Sequence, residues 1–288
     1  MLKTVWLNGK ENIEKTGSVL LFGGFDGLHT GHKKLLNSAR KYGLPIGITT
    51  IFGCKNSDTL FTEEERRTIF KNAGFAFVCE TTFADIKDVQ AETFAERLKE
   101  KYNVQAFVCG DDFRFGKGAQ GTPETLNKTA KVDVEEILTR NGEKISTSTI
   151  KACLSTGDVT TANALLGERF FLLGEVVEGR KIGREMGFPT ANVTYPQGKF
   201  SIKTGVYETR VTLEDKTYKG ITNYGARPTF DNKQVLTETY IDGFSGDLYG
   251  KTIKVEFVNF LREIRKFDSA EDLRAQLQED IRRVRAND

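Results

Sequence analysis

The chain has 288 residues, which on a prior of roughly 150 residues per domain is room for two domains with cores of their own. Its 42 Lys and Arg against 40 Asp and Glu leave a net charge of only +2, and this balance excludes a dedicated nucleic-acid binder, which carries a basic excess or stripe. Hydrophobic residues make up 38% and charged residues 28%, as in folded globular proteins, and neither a run of about 18 apolar residues nor a leader-like opening occurs, so no membrane span and no secretory signal are expected.

In chain order, strands are predicted over SVLLFGGF (18–25), PIGITTIF (45–52), FAFVCE (75–80), AFVCG (106–110) and KVDVEEI (131–137). Helices are predicted between them over 32–42, closed by Gly43, from Thr62 to Gly74, and over 91–102. Thr62 with Glu65 three residues on makes a capping box, and Phe94 with Leu98 gives the third helix an apolar stripe. Alternating strands and helices with near-continuous apolar strands predict a parallel sheet covered on both faces, with ligands at the carboxyl ends of the strands. The stretch 146–168 reads as two short helices joined at Thr156–Gly157, a connector. Beyond about Arg169 come six β-rich runs separated by Gly-, Asp- and Lys-containing turns, which predict an antiparallel barrel or sandwich. A last helix is capped by Ser269, with Leu273, Leu277, Ile281 and Val284 on one face. The domains are therefore expected at 1–167 and 168–288. The four cysteines (Cys54, Cys79, Cys109, Cys153) form no CxxC pair; buried reduced thiols in a reducing cytoplasm fit that spacing.

Chemistry concentrates in two strings. GGFDGLHTGH (23–32) stands where the first strand meets the first helix, and it holds both histidines of the chain, His29 and His32. Its glycines admit close backbone approach, and the helix amino terminus beyond it favours phosphate. Imidazole N–H donors there suit nucleotidyl transfer, in which charge builds on phosphate oxygens. ISTSTIK (145–151) adds the hydroxyls of Ser146, Thr147 and Ser148 and then Lys151 at a helix start; alone, such a cluster is more often a cap. In the second half, GRKIGREMGFPTAN (179–192) is a flexible basic loop running into a rigid Phe-Pro-Thr-Ala-Asn. Thr190 and Asn192 share one face of a strand and offer two oxygens to a hard cation such as Mg²⁺. NYGARPTF (223–230), Glu238 and GDLYG (246–250) follow, supplying turns and one candidate general base. SGDLYGKT (245–252) misses the first glycine of a Walker A loop and runs into a strand, so it is no P-loop.

HxGH after a first strand resembles the signature of the nucleotidylyltransferase superfamily, which includes class I aminoacyl-tRNA synthetases; for a synthetase the chain lacks length and an anticodon-type basic domain. GGFDGLHTGH, GDDFRFGKG (110–118), ISTSTIK, GRxxGFPTAN, NxGxRPTF and GDLYG together, in order and spacing over essentially the whole chain, closely resemble the bifunctional riboflavin kinase/FMN adenylyltransferase family. The resemblance implies a Rossmann-like adenylyltransferase domain followed by a six-stranded barrel kinase domain with a C-terminal helix. It implies riboflavin, FMN, FAD and ATP as the bound molecules, Mg²⁺ as cofactor, and no nucleic acid or membrane. By the same resemblance, Glu238 is the kinase base, Thr190 and Asn192 hold Mg²⁺–ATP, and His29 and His32 contact phosphate. Nucleotide contacts are implied for Gly24, Phe25, Asp26, Gly31, Asp112, Ser146, Ser148 and Lys151 in the first half, and for Gly179, Arg180, Gly183, Arg184 and Gly187 in the second. Flavin contacts are implied for Phe113 and Arg227.

Two departures lie in the first half. The family's Phe-x-Pro-His-Pro string is replaced by Ile51-Phe52-Gly53-Cys54-Lys55-Asn56, and Thr149 and Lys151 stand where two arginines are common. Kinase activity is thus expected intact and adenylyl transfer slower. A single-activity kinase with a weakened or altered transferase half stays open as an alternative. A non-catalytic flavin-binding regulator would need neither the base nor the metal face.

Overall fold

The apolar runs of the first half build one parallel sheet. The computed structural model describes residues 2–9, 16–53, 58–136, 138–140, 142–179, 187–226 and 235–287, and the chain divides into two units, Met1–Thr149 and Ile150–Asp288. In the first unit the strands are β1 (Lys3–Trp6), β2 (Ser18–Leu21), β3 (Ile46–Phe52), β4 (Phe77–Thr82), β5 (Val104–Gly110) and β6 (Lys131–Glu135). They are all parallel, in the order β1-β4-β3-β2-β5-β6. The order reverses at β2, so a crevice opens beyond the carboxyl ends of β2 and β5. Leu20 and Phe22 pack with Phe94, Leu98, Phe107 and Phe115 in one core cluster. Strand alternation turns the buried Val19 and Leu21 to the opposite face.

The helices of this unit are α1 (Thr30–Arg40), α2 (Glu63–Ala73), α3 (Phe83–Ile86), α4 (Ala91–Tyr102) and α5 (Pro123–Asn127). The Thr62 capping box is formed and Gly74 ends α2 in the left-handed region; α4 spans 91–102 as expected. Several boundaries differ from expectation: the strand expected over 75–80 runs from Phe77 to Thr82, the one expected over 106–110 begins at Val104, and three further differences have visible causes or bear on the site. β2 stops at Leu21 because the glycines leave the ladder, with Gly23 N–H donating instead to Thr49 Oγ1 (3.0 Å). α1 begins at Thr30, two residues early, because the His29 side chain caps it. β6 ends at Glu135. The expected set also lacked β1: KTVW is short and half polar, and only its Val5 is buried.

Helices α6 (Thr147–Thr156) and α7 (Val159–Leu166) form the connector, and the division between the units falls inside α6. Asn163 ties α7 to the second unit, its Nδ2 donating to Phe257 O (2.9 Å) and its Oδ1 accepting from Phe170 N–H (2.7 Å). Strands β9 (Phe171–Val177), β10 (Thr190–Thr194), β11 (Gly205–Leu213), β12 (Lys216–Ala226), β13 (Val235–Ile241) and β14 (Thr252–Arg262) close an antiparallel barrel in the order β10-β13-β12-β11-β14-β9. A hairpin of β7 (Thr139–Arg140) and β8 (Glu143–Lys144) belongs to the first unit. Inside the barrel the fully buried Thr209, Thr222 and Thr239 satisfy one another, with Oγ1–Oγ1 distances of 3.0 and 2.9 Å, as buried hydroxyls must.

The chain ends in α8 (Ala270–Ala286), capped by Ser269 Oγ, which accepts from Asp272 N–H. Ile281 and Val284 are buried against Val206, Ile221 and Tyr240, while Leu273 and Leu277 are half-buried. A second anchor is ionic. The guanidinium of Arg262 on β14 holds fully buried Asp280 through Nε (3.0 Å) and Nη2 (2.8 Å), and the Gln276 Nε2–H donates to the same carboxylate (2.8 Å). Removing one partner of such a pair strands the other, so Asp280→Ala is expected to cost about 3–5 kcal/mol. Urea denaturation followed by circular dichroism checks this; an unchanged midpoint would mean that the apolar face alone holds α8.

Candidate active sites

The first unit carries a cavity of about 320 Å³ at the crevice between β2 and β5. Gly23, Gly24, Phe25, His29, Gly31 and His32 line it from the β2–α1 turn; Asp112 and Phe113 from the end of β5; and Ser146, Thr147 and Ser148 from the start of α6. The sequence strings GGFDGLHTGH, GDDFRFGKG and ISTSTIK thus meet in one place although up to 125 positions separate Gly23 from Ser148. Thr49 of β3 holds the turn, its hydroxyl donating to Gly23 O (2.6 Å) while accepting from Gly23 N–H. Phe22 anchors the β5 loop beneath, 4.8 Å from the Phe113 ring and 5.0 Å from the Phe115 ring.

The two imidazoles stack at 3.5 Å, with the Phe25 ring edge-on to His32 at 4.6 Å. His29 Nδ1 accepts from the backbone N–H of His32 (3.3 Å), so its hydrogen sits on Nε2. His32 Nδ1 lies 3.1 Å from Gly27 O, an acceptor only, so its hydrogen sits on Nδ1. Burial, and then the ammonium of Lys144, pushes His29 down to about 4; burial, and then His29, holds His32 well below its ordinary value. Both rings are therefore neutral near pH 7, with opposite tautomers. In this arrangement His29 offers an Nε2–H donor, whereas His32 presents a lone pair at Nε2 and becomes a donor there on gaining a proton.

Gly24 is exposed and lines the cavity, and an added Cβ there would meet no protein atom within 4 Å, so it would project into open space. Gly24→Ala is expected to leave thermal stability within about 0.5 kcal/mol. By the resemblance given above it should also weaken nucleotide binding in this cavity by about tenfold, since one intruding methyl need only cost about 1.4 kcal/mol of contact. Comparison of melting temperature with ATP affinity checks both parts.

One expected residue of the first unit stands away from this cavity. Asp26 does not line it; its Oδ2 accepts from Leu60 N–H (2.7 Å), tethering the turn to the segment before α2. Lys151 belongs to the second unit, where its ammonium lies 5.5 Å from the centre of the Phe200 ring. Lys144, which the sequence reading passed over, does line it. Of the replaced Pro-His-Pro segment, Ile51–Gly53 are described and 54–56 lie outside the described residues. Cys79 and Cys109 are buried, with burial pushing the Cys109 thiol up to about 12; Cys153 is half-buried, and Cys54 lies outside the described residues.

The second unit carries a cavity of about 340 Å³, lined by Gly179, Pro189, Thr190 and Asn192 on one side and by Phe244, Ser245, Asp247 and Tyr249 on the other. Register explains the polar side. On β10 and β13, Thr190 pairs with Tyr240 and Asn192 with Glu238, and on β12 Asn223 pairs with Glu238 from the other flank. Cross-strand partners share a face, so Asn192, Glu238 and Asn223 form a row. Glu238 is half-buried and is not among the lining residues, but it stands directly across from Asn192, which is. A Cβ at Gly179 would overlap the Asn192 side-chain amide, so a side chain there would displace Asn192 from its present position. SGDLYGKT lines the cavity and then enters β14, a strand, as its exclusion as a P-loop requires. Its role as a wall was missed because a loop's facing depends on strands that are distant in sequence.

Thr190 is exposed and Asn192 buried, and both offer neutral oxygens. Among the described residues no group of three or more His, Cys, Asp or Glu side chains is arranged to hold a metal. This donor set fits a hard cation whose remaining ligands are water and phosphate oxygens. Gly187 is described, exposed and outside the lining; Arg180, Gly183, Arg184 and Arg227 lie outside the described residues.

The two units coincide with two family models: FAD synthetase over residues 11–149 and riboflavin kinase over residues 166–287. The bifunctional riboflavin kinase/FMN adenylyltransferase of Bacillus subtilis is 31% identical over 97% of this chain and 96% of its own length, and that of Haemophilus influenzae 30% over 94% of each. A crystal structure described as a macrolide-efflux protein from Streptococcus pneumoniae matches with a TM-score of 0.89 and 28% identity, covering 99% of both chains. Among the described residues no helix is long and apolar enough to cross a membrane. With both halves matched and full-length relatives at this identity, the chain belongs to the bifunctional riboflavin kinase/FMN adenylyltransferase family.

Proposed function

We propose that the chain is a transferase of the cytoplasm that phosphorylates riboflavin to FMN and then adenylylates FMN to FAD, using ATP with Mg²⁺ in both steps. The observation that carries this reading is the presence of two separate cavities, one in each unit, each lined by the phosphate-handling strings of the half that the corresponding family model matches. We assign adenylyl transfer to 1–167, connector included, and riboflavin phosphorylation to 168–288. Because Asn163 of α7 is bonded to Phe257 and Phe170, a kinase fragment beginning near residue 150 keeps contacts that one beginning at 168 loses.

In the kinase half, Glu238 takes the proton from the ribityl 5′-hydroxyl as that oxygen attacks the γ-phosphorus of ATP and ADP departs. Thr190 and Asn192 would hold Mg²⁺, which would supply neutralisation of phosphate charge when bound. The family resemblance assigns Gly179, Arg180, Gly183, Arg184 and Gly187 to the nucleotide and Arg227 to the flavin. In the transferase half, a phosphate oxygen of FMN attacks the α-phosphorus of ATP and pyrophosphate leaves. His29 donates from Nε2 to phosphate oxygen, the hydroxyls of Ser146 and Ser148 and the α6 amino terminus receive phosphate, and Phe113 meets the flavin.

One feature of the chain favours a slower second step: Thr149 and Lys151 stand where two arginines are common, so the ISTSTIK string carries less charge for phosphate. The test is a time course of the pure protein with riboflavin, ATP and Mg²⁺, resolved by chromatography. FMN is expected to accumulate before FAD. FAD without an FMN lag would overturn the slower second step, FMN alone would leave a single-activity kinase, and neither product would overturn the proposal.

A further inference from the structure

The phosphate-binding string of the first unit lacks charge where arginines are common, and the cavity shows what stands in for it. Among the described residues, its lining holds one permanently cationic side chain, Lys144, against the carboxylates of Asp112, Glu135 and Glu136. Glu135 is already engaged by Lys34 (3.1 Å) and by Ser38 Oγ. Both histidines are neutral. A polyphosphate entering this space meets no other fixed positive charge from the described lining, and such a ligand binds poorly where carboxylates outnumber cations.

Lys144 is presented by local structure. It ends the β7–β8 hairpin, which is closed by Ile145 N–H donating to Leu138 O (3.0 Å), immediately before Ser146. Thr149, one of the two replacing residues, donates its hydroxyl to Lys144 O (3.0 Å) and accepts at the same time within hydrogen-bond distance of Ser146 Oγ (3.0 Å). The threonine thus supplies position where it cannot supply charge. The Lys144 ammonium pairs with Asp112, and both side chains are about half exposed (50% and 52%), so the pair sits at the cavity mouth and is not locked into the core. An ion pair this exposed is worth little, on the order of 1 kcal/mol or less, and is readily exchanged for a more highly charged partner.

We propose that Lys144 is the phosphate-binding cation of the adenylyl-transfer cavity, leaving Asp112 to engage the polyphosphate of the incoming nucleotide. This rests on the reading of that cavity as the adenylyl-transfer site. It assigns to the hairpin the charge that the family's arginine-rich version of the following string carries.

Because both histidines of the chain lie in this cavity, their imidazole resonances report nucleotide binding here separately from binding in the second unit. ATP is titrated into the full chain while these resonances are followed, for wild type, Lys144→Met and Lys144→Arg. Loss of a charge-assisted contact is expected to weaken the apparent Kd, and to lower kcat/KM for FAD formation, by roughly 10- to 100-fold in Lys144→Met. Lys144→Arg should stay within about threefold of wild type, since it retains the charge. The His29 pKa should rise in the Met variant, which removes a cation that lowers it, and FMN formation from riboflavin should be unchanged as a control on folding. Wild-type histidine resonances that do not respond to ATP would defeat the reading of the cavity. Resonances that respond with the same Kd in wild type and Lys144→Met would defeat the assignment of Lys144, and equal losses in the Met and Arg variants would make its role structural.

Discussion

Glu238→Gln is expected to lower FMN formation by ~10²–10⁴-fold, the range a positioned general base supplies, while riboflavin binding stays nearly intact. The substitution is isosteric and keeps a polar group between Asn192 and Asn223, its cross-strand neighbours, so the row on β10, β13 and β12 should remain folded. What it removes is a proton acceptor. Riboflavin binding by fluorescence and steady-state FMN production separate the two effects. Near-normal turnover would put the base elsewhere, and lost riboflavin binding would make Glu238 a binding residue.

His29→Ala/His32→Ala is expected to lower FAD formation by at least ~10²-fold and leave FMN formation running. A single preorganised donor to a developing phosphate charge is worth about 3 kcal/mol, and the stacked pair acts as one unit. His29 also caps α1, and losing a cap costs about 1 kcal/mol, so His29→Asn, which restores a capping acceptor, separates chemistry from folding. FAD formation that survives in both variants would remove the pair from the mechanism. The same residues set a pH dependence. Their folded values lie below the unfolded value of about 6.5, so an unfolded chain takes up protons that the folded one refuses. Stability of the first unit should fall as pH drops from about 6.5 toward 4, and the double variant should lose that part of the decline.

Much of the fold was legible from short-range pattern. The capping box at Thr62, the stripe of Phe94 and Leu98 and the break at Thr156–Gly157 lie within a few residues, and these elements formed as expected. The elements that escaped were those held by distant partners. β1 exists because Lys3–Trp6 pairs with Phe77–Glu80, and KTVW has too little apolar character to signal a strand alone. The candidate sites divide in the same way: composition and glycine spacing singled out His29, His32, Thr190 and Asn192, but Lys144 sits in a hairpin without a recognisable string.

The sequence by itself determined that both histidines share one strand-to-helix turn, that a parallel sheet precedes an antiparallel barrel, and that Thr190 and Asn192 share a strand face, since each follows from neighbours or from period. Tertiary structure alone decided which tautomer each histidine holds, that Lys144 meets Asp112 at the mouth of a cavity, that Asp26 turns away from it, and that Glu238 stands between two asparagines. Most of these contacts join positions tens of residues apart, and the histidine tautomers depend on how one turn is held. Strand register and chain crossover fix which side chains face one another, and neither is encoded in any short window of residues.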